Sequence, residues 1–138
     1  MDRLFLDANV LFSAAYRPNA GLLQLWKLKG VILCSSRYAL EEARFNSTDE
    51  AQKRRLSRLA RSIQLFDPPD PPLPDVSLPG GVSLPEKDWP IFSAAVAARA
   101  THLITGDVRH FGPYFGKAIQ GILTMTPARY LKTRRRSE

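Results

Sequence analysis

The sequence is short of cysteine, of long apolar runs and of acidic charge, and each shortage narrows what the chain can be. A single cysteine, Cys34, excludes an intrachain disulfide framework. Inside the apolar run "GVILCSS" it reads as a small buried hydrophobe, which suits a reducing compartment. No apolar stretch approaches the roughly 18 residues of a membrane span. The apolar N-terminus is interrupted by Asp2, Asp7 and Asn9, and Arg3 alone makes a poor basic leader for a signal peptide. A cytoplasmic protein with no membrane partner is therefore expected. Acidic residues number 13 against 20 basic ones, and the net charge of +7 favours an anionic partner. Nucleic acid comes first, with an acidic protein or membrane surface behind it.

What is present is an ordinary globular composition. At 138 residues the chain is expected to form one domain, 1–138, with a real hydrophobic core. "RLFL" reads as a first strand and "NVLFSAAYR" as a helix starting directly after Asp7. Pro18, Asn19 and Gly21 mark a turn, "LLQLWKLK" repeats apolar residues at helical spacing, and "VILC" is a short apolar strand. Ser35 or Ser36 can cap the next helix, "RYALEEARF", in which Tyr38, Leu40 and Phe45 are candidate packing residues. "TDEAQKRRLSRLARSI" follows as a helix capped by Thr48, with Leu56, Leu59, Ala60 and Ile63 as its apolar stripe.

Residues 67–85 hold seven of the 11 prolines, which excludes a regular helix and predicts a proline-rich surface loop. "EKDWPIFSAAVAARA" is the clearest helix, with Pro90 tolerable in its first turn. "HLIT" and "GILTM" read as strands, "PARYLK" as a final helical turn, and residues 132–138 as a basic C-terminal tail. Strands alternating with helices predict an α/β fold with a mainly parallel central sheet.

Two of the strands end on carboxylates, Asp7 after "RLFL" and Asp107 after "LITG". Taken alone, Asp107 also suits a turn opened by Gly106. In an open parallel sheet, however, ligands bind outside the carboxyl ends of the strands, so both acids belong to that edge. Asp88 opens its helix, and Glu41 or Glu42 rides on "YALEEARF". Carboxylates gathered at one place repel one another unless a cation sits between them, and Mg²⁺ or Mn²⁺ prefers such oxygen ligands.

The ordered set "FLDANVLFSA", "SSRYALEEARFN", "KDWPIFSAAVAARATHLITGD" and "VRHF" resembles the PIN domain family, metal-dependent nucleases that include toxins of bacterial toxin–antitoxin pairs. The resemblance implies an α/β/α sandwich and an acidic pocket for one or two Mg²⁺ or Mn²⁺ ions. It implies as its catalytic and metal-binding acids Asp7, Glu42 with Glu41 as the other choice, Asp88 and Asp107, supported by Asn9 and Thr105. The implied activity is endoribonucleolytic hydrolysis of RNA, and the implied partners are an antitoxin protein and a second copy of the chain. The alternative is a PIN-like module that binds nucleic acid or protein without cutting. A phosphatase with a nucleophilic Asp7 would need a second aspartate two residues on, where Asn9 stands.

For the phosphate backbone the candidates are Lys53, Arg54, Arg55, Arg58 and Arg61 on the basic helix, His110, and Arg134, Arg135 and Arg136 near the C-terminus. Tyr16, Trp26, Trp89, His110, Phe111, Tyr114 and Phe115 are the candidate base-stacking surfaces.

Overall fold

The computed structural model describes residues 1–67 and 89–137. Its centre is a six-stranded sheet built from β1 (Asp2–Leu6), β2 (Val31–Ser36), β3 (Gln64–Phe66), β4 (His102–Ile104), β5 (Ala118–Ile119) and β6 (Ile122–Met125). The strand order is β3-β2-β1-β4-β6-β5, and every pairing is parallel except β5 with β6. Leu4, Phe5 and Leu6 are fully buried. A strand covered on both faces needs such a continuous apolar run, and that is why "RLFL" occupies the middle of the sheet.

The helices are α1 (Ala8–Ala15), α2 (Arg37–Asn46), α3 (Glu50–Ala60), α4 (Trp89–Ala97), the short α5 (Val108–Phe111) and α6 (Pro127–Ser137). Helix α1 packs on α2 and α3, while α4 lies against β2 and β3, giving the α/β/α arrangement. Alanines carry much of this packing. Ala39 and Ala43, one turn apart on α2, are wholly buried, as are Ala94 and Ala95 on α4.

Several local expectations are corrected. Phe45 is 89% exposed and Tyr38 42% exposed, so of the three candidate packing residues of α2 only Leu40 packs against the core, and the small Ala39 and Ala43 fill the inward face where the helices approach closely. "LLQLWKLK" folds as a 3₁₀ helix, Gly21–Lys27, with no side-chain cap. Confined between Pro18 and Gly30, it is held by tertiary contacts: Leu25 is buried and the Trp26 indole donates to the Leu59 carbonyl at 3.1 Å. Asp49 rather than Thr48 caps α3, its Oδ1 accepting from the Gln52 amide at 2.7 Å. Strand β3 adds an edge that the sequence reading did not contain.

The C-terminus also differs from expectation. Instead of one turn followed by a tail, α6 runs 11 residues. Tyr130 anchors it, buried and donating its hydroxyl to Asp2 Oδ2 at 2.7 Å, and Arg134 donates to the Lys29 carbonyl at 2.7 Å. Burial and the neighbouring Asp2 carboxylate push the Tyr130 hydroxyl well above the ordinary tyrosine range. Cys34 is buried, as its apolar surroundings suggest, and burial raises its thiol. Apart from Asp67, the proline-rich stretch lies outside the described residues.

Candidate active site

The site follows from the register of β1 and β4. Leu4 pairs with His102, Phe5 with Leu103 and Leu6 with Ile104, so the chain leaves the sheet at Asp7 on one strand and Thr105 on the other. The Asp7 amide still donates to the Ile104 carbonyl at 3.0 Å, which fixes the two exits side by side. From β1 the sheet continues to β2 on one side and β4 on the other, so the exits flank the point where chain direction across the sheet reverses. A crevice for a ligand forms there in open parallel sheets.

Asp7 is 6% exposed and caps α1. Its Oδ1 accepts from the Ala8 backbone amide at 2.7 Å, and its Oδ2 accepts from the Thr105 hydroxyl at 2.8 Å and the Asn9 side-chain Nδ2 at 3.1 Å. These three donors hold the Asp7 carboxylate in one orientation. Thr105 Oγ1 in turn accepts from the Asp107 backbone amide at 3.0 Å, and Asn9 Oδ1 accepts from the Gly106 amide at 2.8 Å. The turn carrying Asp107 is thus tied to Asp7 through two side chains, Thr105 and Asn9. A Cβ on Gly106 would come within 3.3 Å of Asn9 Oδ1.

Above these residues lies an open cavity of ≈ 670 Å³, lined by Asp7, Ala8, Asn9, Phe12, Ser13, Tyr38, Glu42, Asn46, Ile91, Gly106 and Asp107. Glu42 lines it and Glu41 does not. Ser36 explains the placement: its hydroxyl accepts from the Ala39 amide at 3.0 Å, starting α2 so that Tyr38, Glu42 and Asn46 follow one another at four-residue spacing on one face. Ser13 and Asn46 are polar lining residues that the sequence reading missed. The signal was there: each lies four residues beyond a recognised one, Asn9 or Glu42.

The structure therefore brings together Asp7, Asn9, Thr105, Asp107 and Glu42. Asp88 and the side chains of His110, Arg135 and Arg136 lie outside the described residues. Three carboxylates line the cavity with amide and hydroxyl oxygens beside them, the ligand chemistry that a hard divalent cation prefers. Among the described residues, no three His, Cys, Asp or Glu side chains stand close enough together to hold a metal ion. The carboxylates form walls of one cavity rather than a closed cage.

The basic candidates divide. Arg55 is committed to α1, donating from Nε to the Ala15 carbonyl at 2.8 Å and from Nη2 to the Tyr16 carbonyl at 2.9 Å. Its fork satisfies helix-end carbonyls, a structural role. Arg134 is similarly engaged with Lys29. Lys53 lies 3.7 Å from Glu50, and Arg54, Arg58 and Arg61 are exposed. Among the aromatic candidates, Phe111 and Tyr114 are buried core residues and Trp26 is half-buried, whereas Tyr16 is 60% exposed.

The PIN domain family model matches residues 3–109, a span that begins in β1 and ends just beyond Asp107. The chain belongs to the PIN domain family. Among solved structures it is similar to a chain of VapBC2 from Rickettsia felis, a complex bound to a DNA fragment from their promoter. That likeness has a TM-score of 0.61 and 16% identity, covering 90% of this chain and 98% of the other, and it extends to the fold. No curated protein matches the chain in sequence. No helix among the described residues is long and apolar enough to cross a membrane.

Proposed function

We propose that this PIN domain is a Mg²⁺- or Mn²⁺-dependent endoribonuclease acting as the toxin of a toxin–antitoxin pair. The observation that carries the reading is the pairing of Asp7 and Asp107 across the sheet's reversal point, linked by Thr105, with Glu42 facing the same cavity. Asp7, Asp107, Glu42 and Asp88 would hold the ion. When bound, it supplies a Lewis acid that polarises the phosphoryl group and lowers the pKa of a coordinated water.

The chain's own residues supply position. Ala8, Asn9 and Thr105 orient the Asp7 carboxylate through three hydrogen bonds, so that one buried acid keeps a fixed direction. Glu42 and Asp107 line the same cavity as Asp7, and the exposed Arg54, Arg58 and Arg61 contribute the sequence-independent attraction of a polyanion. The likeness to VapBC2 supports an antitoxin partner. So does α2, where Tyr38 and Phe45 are exposed two turns apart on either side of Glu42, an apolar surface of the kind protein partners cover.

The test is cleavage of a mixed end-labelled RNA pool by purified protein with Mg²⁺, Mn²⁺ or EDTA, beside Asp7→Asn and Asp107→Asn. Metal-dependent cutting lost in both folded variants supports the nuclease. Equal cutting by all three, or none by any with the fold intact, favours a PIN-like module that binds without cutting.

A further inference from the structure

Beside the carboxylate cavity lies a larger groove of ≈ 840 Å³ between α1, the 3₁₀ helix and α6. It shares Phe12 and Ser13 with the carboxylate cavity, so the two adjoin along α1. Its wall carries Tyr16, 60% exposed, with its ring 5.9 Å from that of Phe12 at a 40° tilt. Arg17 lines it as well and is exposed. Arg17 also lines a third, smaller cavity of ≈ 210 Å³ together with Arg55 and Arg58. Passing from Asp7 along α1 to Tyr16 and Arg17 just beyond its end, the surface therefore changes from acidic to aromatic to basic.

We propose that this groove is a nucleobase subsite, in which Tyr16 stacks a base of single-stranded RNA and Arg17 holds a neighbouring phosphate. The inference rests on the nuclease reading of the adjoining cavity and extends it to the position of the substrate. An exposed aromatic face beside a guanidinium is the arrangement that binds single strands with little regard to sequence. The order along α1 matches the needs of a polyanion: the strand is gripped where the surface is positive and presented where the carboxylates lie. The two Arg55 hydrogen bonds to the Ala15 and Tyr16 carbonyls hold the backbone beneath the stacking ring, which makes Arg55 a positioning residue for Tyr16.

The experiment is fluorescence anisotropy of a short labelled single-stranded oligoribonucleotide, with cleavage silenced by Asp7→Asn. Tyr16→Ala in that background is expected to weaken binding by about tenfold, and Tyr16→Trp to retain or tighten it. Equal affinity in Tyr16→Ala, an equal loss in Tyr16→Trp, or no binding by the parent overturns the subsite. A changed sedimentation behaviour in Tyr16→Ala with unchanged RNA affinity assigns the groove to a protein instead, and overturns it too. Cleavage by the otherwise unaltered chain separates the two readings. Tyr16-dependent binding without cleavage keeps the subsite and removes the nuclease, whereas cleavage with a KM that Tyr16→Ala leaves unchanged does the reverse.

Discussion

The Thr105 hydroxyl donates to Asp7 Oδ2 at 2.8 Å across 98 residues of sequence, and its oxygen accepts the amide of Asp107 at 3.0 Å. One small side chain thereby orients one carboxylate and holds the turn that carries the other.

Thr105→Val keeps the shape and removes both bonds, together with the one that Thr105 Oγ1 accepts from the Asn9 side-chain amide at 3.2 Å. Asp7 would lose a donor to a buried carboxylate, a loss of about 1–3 kcal/mol in stability by urea unfolding. On the proposed function, Mn²⁺ affinity falls about 10–100-fold, as when a group supporting a metal ligand is lost. Thr105→Ser, which retains the hydroxyl, is expected to restore most of both.

Gly106→Ala places a methyl group 3.3 Å from Asn9 Oδ1. The Asn9 side chain must shift by a few tenths of an ångström, which loosens its bond to the Gly106 amide and its hold on Asp7. The expected destabilisation is about 1 kcal/mol, and the Asn9→Ala, Gly106→Ala double variant should lose less than the sum of the two singles. Strict additivity in unfolding experiments would show that the contact does not matter.

Arg55→Ala removes two bonds to the end of α1 and is expected to lower stability by about 1–3 kcal/mol. Arg54→Ala, at an exposed neighbouring position, should change it by less than about 0.5 kcal/mol. Equal effects in chemical denaturation would return Arg55 to the surface-charge role that its sequence context suggests.

Burial lowers the His102 pKa, against the smaller opposing pull of Asp2, from an ordinary value of 6.5. The unfolded chain therefore holds a proton at pH values where native His102 does not, so stability falls as pH drops below about 6.5 and is recovered as it rises. Thermal melts between pH 5.5 and 7.5 should show a steeper acid loss in the parent than in His102→Gln.

Much of this arrangement was legible in the sequence because parallel strands buried on both faces declare themselves as apolar runs. "RLFL" and "HLIT" are such runs, and the residues that end them necessarily lie at one sheet edge. Asp7 and Asp107 followed from that logic, whereas the choice of Glu42 over Glu41 came only from the family resemblance. What was not legible depends on contacts between distant residues. Tyr130 is a modest local signal, yet its bond to Asp2 and its burial help turn an expected single turn into an 11-residue helix. The β5–β6 hairpin turns through Gln120 and Gly121, both at positive φ, and glutamine is not among the residues that announce such a turn. Arg55 could not be told from Arg54 or Arg58, because only the packing of α3 on α1 puts its fork over two carbonyls.

The central claim is that carboxylates from the two strand exits act on one divalent cation. Calorimetric titration of Mn²⁺ into the folded protein tests it most directly, with Asp7→Asn, Asp107→Asn and Glu41→Gln as the three variants. Saturable binding that falls at least tenfold in each aspartate variant and is unchanged in Glu41→Gln is the predicted result. Mn²⁺ affinity that is the same in the parent and in both aspartate variants would contradict it.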